Sequence, residues 1–245
     1  MWTCSMLKTN AREALRGRYW RSFWGCFLIA MLGGGGAVNV SFLYSPENTA
    51  YYLENLPSYL LAWLAIVSVI GAICGVLWNI FLTGPLQVGS NRYFMESRQS
   101  PSPISTFFSV FHTPYLNVVK VSFLTSLKIF AGMILFLIPG IYWAYCYALV
   151  PYLLAENPYM STSRAMELSR EMMYGEKFHL FLLELSFLGW ALLCVLTLGI
   201  GIYFLSPYLS ATYAEFYAAM RAKALAQGLS TTQELGGFVR HKENI

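Results

Sequence analysis

The amino-acid sequence predicts an all-α fold, a polytopic membrane bundle of about six transmembrane helices paired as three hairpins, with interfacial amphipathic helices beside them. Three observations carry this prediction. Hydrophobic residues fill 57% of the 245 positions and charged residues 11%, whereas soluble domains carry about 25% charged residues. So few charges cannot clothe a globule of this size in water, and lipid must be part of its solvent. The mean hydropathy of +0.51 is gathered into runs long enough to cross a hydrocarbon core of about 30 Å, which takes about 20 residues per helix. Lysine and arginine fall between those runs in an order that the positive-inside rule reads without conflict.

The chain opens on a basic segment holding Lys8, Arg12, Arg16, Arg18 and Arg21. Between Leu7 and Tyr19 one helical face collects Leu7, Ala11, Ala14 and Leu15, and another collects Lys8, Arg12 and Arg16. A helix over 7–19 is therefore expected either flat in the headgroup layer or packed on the bundle. The length of this polar region, and the spans after it, argue against a cleavable signal peptide. The first span is read from Phe23 to Tyr44, with Gly33 to Gly36 inside it, a run that close membrane packing can use. The second runs from Tyr59 to Thr83 and the third from Leu116 to Leu137. The fourth follows Pro139-Gly140 to Ala155, the fifth covers Phe178 to Leu198, and the sixth Ile200 to Met220.

Leu137-Ile138-Pro139-Gly140 and Leu198-Gly199-Ile200-Gly201 interrupt apolar stretches too long for one crossing. Each is expected to reverse the chain in a tight hairpin, a kinked helix with a re-entrant segment being the other reading. A second amphipathic helix is read at 161–174, with Ala165, Leu168 and Met172 opposite Arg164, Glu167 and Glu171, and Gly175 as its C-cap. Proline marks all three hairpins, at Gly84-Pro85-Leu86, Val150-Pro151-Tyr152 and Ser206-Pro207-Tyr208, as a repeat of two-helix units would. Residues 1–227 form one transmembrane domain in this reading, and 228–245 a polar cytoplasmic tail expected to be mobile.

No lysine or arginine lies between Tyr44 and Pro57, whereas Arg92, Arg98, Arg164, Arg170, Lys177, Arg221, Lys223, Arg240 and Lys242 fall between or after spans. Six spans with both ends in the cytoplasm put every basic loop inside, at a bacterial cell membrane. Only Lys120 and Lys128 fall within a span.

All twelve acids are glutamate, which excludes an Asp nucleophile, an Asp-rich metal loop and a Walker B aspartate. HExxH, GxSxG, Walker A and Rossmann patterns are absent too. No catalytic residue, cofactor or metal is expected, since His112 and His179 lack companion ligands. The five cysteines form no CxxC pair and read as small hydrophobes. Glu184, flanked by apolar residues in the fifth span, needs a partner or water. Asn79, Lys120 and Glu215 come out at similar depths, so these four make a candidate intramembrane polar cluster. Lys120 is the natural counter-ion, and Lys128 the second choice. The cluster reads either as a cavity binding a headgroup, ion or proton, or as a buried pair that fixes helix register. Gly71-Ala-Ile-Cys-Gly75 suits close contact within the chain or self-association.

Several stretches resemble one family. They are Leu7-Lys-Thr-Asn-Ala-Arg-Glu-Ala-Leu-Arg-Gly17, Gly84-Pro-Leu86, Ile138-Pro-Gly-Ile141, Val150-Pro-Tyr-Leu-Leu-Ala-Glu-Asn-Pro158, Ser169-Arg-Glu-Met-Met-Tyr-Gly175, Leu185-Ser-Phe-Leu-Gly-Trp190 and Thr197-Leu-Gly-Ile-Gly201. Together they resemble the bacterial integral membrane proteins grouped as domain of unknown function 975, over nearly the whole chain. A more distant likeness is to the membrane domain of some glycerophosphodiester phosphodiesterases. The Gly-rich first span and the loop from Tyr44 to Tyr59 show least of this pattern. The resemblance implies a bacterial multipass protein and brings no catalytic residues with it. The function expected is non-enzymatic: lipid handling or sensing, or service as an accessory factor of an envelope transport system. The alternative is a small transporter or channel with its cavity around Glu184. Membrane lipids, a transport complex or further copies are the expected partners, and nucleic acid is not.

Overall fold

A computed structural model describes residues 2–32, 57–112, 114–197 and 199–236, all helices and connections without a strand. Helix α1, Cys4–Leu15, starts at Thr3, whose hydroxyl accepts the Met6 N–H as an N-cap should. Its apolar residues Leu7, Ala11 and Leu15 are buried. They pack against the last helix of the chain, so this amphipathic helix joins the protein core. Gly17, at φ 74°, turns the chain into α2, Tyr19–Leu32. The expected first span is described only as far as Leu32. Its remainder, with Gly33–Gly36 and the segment 44–56, lies outside the described residues.

Next comes a continuous rod of 40 residues, Ser58–Ser97, made of α3, Ser58–Trp78, a π-helical turn, Asn79–Thr83, and α4, Gly84–Ser97. Pro85 has no N–H to give to the carbonyl of Phe81. The helix widens there, with the Gly84 N–H on Asn79 O, and the Tyr115 hydroxyl donates to the freed Phe81 carbonyl. The rod's two halves differ sharply. No side chain of α3 is buried, whereas α4 buries Leu86, Val88, Tyr93, Phe94 and Met95.

A 3-10 helix, Ile104–His112, crosses α4, an element the hydropathy pattern did not predict. Its Phe107 stacks on Tyr93, ring centres 4.3 Å apart. A Cβ at Gly25 would run into the Phe107 ring, and one at Gly89 into its backbone, so both glycines exist to admit this residue. Helices α5, Tyr115–Leu135, and α6, Leu137–Cys146, pack as a hairpin that breaks at the extended Phe136. Pro139 then falls in the first turn of α6, where its missing N–H costs nothing. The reversal thus precedes Pro139-Gly140 by a few residues.

Short α7, Val150–Glu156, leads to α8, Thr162–Met172, which is capped by Ser161 and followed by Gly175 at φ 78°. Ala165, Leu168 and Met172 of α8 are buried in the core, the second amphipathic face turned to protein. Helices α9, Lys177–Leu185, and α10, Leu188–Leu196, form one bent unit. Gly199, at φ 85° with its N–H on Cys194 O, then reverses the chain into α11, Gly201–Ala226, which contains Pro207.

Four helices among the described residues are long and apolar enough to cross a membrane: Ser58–Ser97, Tyr115–Leu135, Leu137–Glu156 and Lys177–Leu196. Six were expected. The sixth expected span is helical, but α11 carries Glu215, Arg221 and Lys223 and buries Ala214, Phe216, Tyr217 and Met220 in protein. The Tyr19 hydroxyl also donates to the Phe204 carbonyl at 2.6 Å, three residues into α11, or about 4.5 Å of helix rise. The basic N-terminal segment therefore stands close to a reversal expected on the opposite face of the bilayer. Residues 229–236, within the stretch expected to be mobile, hook back onto the bundle: Leu235 is fully buried and Glu234 binds Arg164 at 2.8 Å. Residues 237–245 lie outside the described residues.

Candidate functional site

A cavity of about 600 Å³ opens between the end of α1 and the α10–α11 pair. Its walls are Leu15, Trp190, Leu193, Cys194, Phe204 and Leu205, with Arg12, Arg16, Tyr19, Thr197 and Tyr208 supplying the polar groups. The volume lies within the range of ligand sites, roughly 300–1,000 Å³. Trp190 and Leu193 remain half exposed, so the apolar wall continues onto the outer face of α10. Aromatic rings tie the groove to α2: Phe23 stacks on Phe204 at 4.9 Å, and Phe27 meets Tyr203 at 5.5 Å.

The cations of this groove share one line of α1. Lys8, Arg12 and Arg16 are spaced by four residues, and like charges so placed repel by about 0.2–0.5 kcal/mol per pair. Lys8 donates to the Ser186 carbonyl at 3.1 Å and lies 4.1 Å from the Phe187 ring centre. Burial pushes its ammonium below the usual lysine value, and the charge of Arg12 pushes the same way. Arg12 lies over the Tyr208 ring at 5.6 Å. Among the described residues neither Arg12 nor Arg16 forms an ion pair, and no acid lines the cavity.

The residues expected to form one polar cluster have separate partners. Glu184, on α9, accepts hydrogen bonds from Tyr145 of α6 at 2.5 Å and from Tyr213 of α11 at 3.3 Å. Lys120 is exposed on α5 and pairs with no acid among the described residues, and Lys128 lies over the Tyr147 ring at 5.2 Å. Glu215 is held by Arg98 through two hydrogen bonds of 2.5 and 3.1 Å. Asn79 is exposed in the π turn. Neither tyrosine figured in the sequence reading, although a tyrosine in an apolar helix needs a partner for its hydroxyl. Glu184 also stands outside a second cavity of about 240 Å³ that Gln87, Ser122, Thr125 and Ser126 help to line.

Elsewhere the basic residues are locked. Glu156, its side chain fully buried, accepts from Arg221 at 2.8 Å and from the Tyr217 hydroxyl at 2.5 Å. Arg221 also donates to the Leu235 carbonyl. Arg164 grips Glu234 through two hydrogen bonds and the Leu229 carbonyl through a third. That grip holds the Glu234 carboxyl below its ordinary value, helped by Ser230 and opposed by burial. Lys223 pairs with Glu176 at 2.7 Å. These contacts bind α7, α8 and the C-terminal hook to α11.

Compared with known proteins, residues 103–224 match the model of a family described as "Protein of unknown function (DUF975)". The match covers just under half of the chain, from the 3-10 helix into α11, and leaves out α1 through α4. No curated protein and no solved structure matches.

Proposed function

We propose that this protein is a bacterial cell-membrane protein that binds membrane lipid without chemically changing it. The groove between α1 and the α10–α11 pair carries the reading: arginines on one wall, and an apolar wall that continues onto exposed helix. Such a shape fits an amphiphile, whose two ends need different solvents. The four long apolar helices support a bilayer as its setting. Both chain ends lie near the second half of α11, since Trp2 packs on Phe216 and Arg221 reaches Leu235. That grouping, with the glutamate-paired cations around it, favours one cytoplasmic end for both. Lipid handling of this kind would also serve an accessory factor of an envelope transport system. A transporter built on Glu184 gains less support, because that carboxylate already has two phenol donors and lines neither cavity. The test is native mass spectrometry after extraction in mild detergent. Phospholipid retained through gel filtration is expected, and a uniformly lipid-free protein would refute the reading.

A further inference from the structure

We infer that the groove selects an anionic glycerophospholipid of the bilayer, its phosphate held between Arg12 and Arg16 and an acyl chain laid against Trp190, Leu193 and Phe204. This rests on the lipid reading above and adds the class of headgroup. Three observations carry the addition. Lys8, Arg12 and Arg16 form a line of like charge on one helix, and among the described residues no carboxylate pairs with them. Four other arginines, Arg92, Arg98, Arg164 and Arg221, each have a glutamate. A guanidinium presents a planar fork of donors that matches phosphate oxygens in pairs, and two stand one turn apart at the mouth of an apolar cavity.

The absent acid matters as much as the cations present. A zwitterionic headgroup carries an ammonium beside its phosphate, and that ammonium would enter a groove with two cations and no carboxylate. An anionic headgroup brings no such charge. Like-charge juxtaposition of this kind is how a site rejects a wrong partner. Tyr208 already faces Arg12, so its ring is not free to receive a quaternary amine.

The test offers the purified protein equal amounts of dioleoyl-phosphatidylglycerol and dioleoyl-phosphatidylcholine in mixed micelles and reads bound lipid by native mass spectrometry. The expected result is a preference for phosphatidylglycerol on the order of tenfold. It should fall to near parity in the Arg12→Gln/Arg16→Gln variant and survive in Arg12→Lys/Arg16→Lys, which keeps the charges. Millimolar inorganic phosphate should not displace the lipid. Displacement would mean a free-anion site and overturn the inference. Equal retention of the two lipids by the unmodified protein overturns the headgroup class and leaves the lipid reading standing. Retention of neither overturns both. A preference that persists in the glutamine variant places the anion elsewhere and also overturns it. Circular dichroism of each variant, with the lysine variant as control, separates loss of selectivity from loss of fold.

Discussion

Around the second half of α11, Arg98, Arg164 and Arg221 each close on a glutamate at 2.5–2.8 Å, and the Glu156 carboxylate they help to satisfy has no exposure at all. On α1, Arg12 and Arg16 face an aromatic ring and an open cavity. The residue type is the same, and the surroundings differ in one respect: whether the fold itself supplies the anion. Where it does, the arginine is an internal strut between helices, and removing either partner strands a charge. Where it does not, the charge is left directed at something from outside. The same contrast explains why net charge alone said little about function. Most of the positive charge is neutralised locally, and what remains is concentrated at one groove.

The largest expected effect tests the first half of that contrast. Glu156→Ala strands Arg221 and the Tyr217 hydroxyl in a buried setting, and should cost about 3–5 kcal/mol, read as the loss of cooperative thermal unfolding in detergent. A loss under about 1 kcal/mol would mean the pair is wetted and the contrast false. Glu184 is the intermediate case, a carboxylate held by phenols. Tyr145→Phe and Glu184→Gln should couple by about 0.5–3 kcal/mol in a double-mutant cycle, while Lys120→Met and Glu184→Gln should add within about 0.5 kcal/mol. Coupling to Lys120 would restore the ion pair expected from sequence. On α1, Arg12→Gln/Arg16→Gln should shift stability by no more than about 0.5 kcal/mol, since no internal partner is lost. A larger loss would make these arginines struts like the others.

The smallest effect concerns the hook. Glu234 has its folded-state carboxyl lowered by Arg164, so it contributes stability above the ordinary glutamate range. That contribution is lost as pH falls through the lowered value. Hydrogen exchange at residues 229–236 should therefore quicken as the solution is acidified, ahead of the helices of the core. A protection pattern there that does not change with acid would show that the Leu235 contact alone holds the hook.

Much of the helical plan was legible because it depends on local chemistry. Gly199 at a positive φ, the Ser161 cap and Gly175 after α8 are backbone requirements that a sequence states directly. Pro139 pointed to the right hairpin but to the wrong residue for its turn, since proline is tolerated one turn inside a helix start. Helix α11 was misjudged because hydropathy averages Tyr, Ala and Leu as apolar, without asking whether lipid or protein covers them. The partners of Glu184 were not legible at all. Depth along a span says which residues share a layer, but which of them meet depends on helix rotation, and rotation is set by contacts such as Phe107 against Gly89. The groove was half legible: the basic face of α1 was expected, and its partner helices were not.

The rod from Ser58 to Ser97 has a mechanical consequence. Its 21-residue α3 rises about 31 Å, close to the thickness of a bilayer's hydrocarbon core, about 30 Å. No internal neighbour buries it, so a surrounding bilayer alone would set its angle. Helix α4 is the opposite, clamped by Phe107 and the buried residues around it. The π turn joins the two without a break. With α3 in lipid, a thicker or thinner membrane changes the tilt that matches its length, and the clamped half turns with it. The molecule is in effect mounted on a post whose lean is set by membrane thickness.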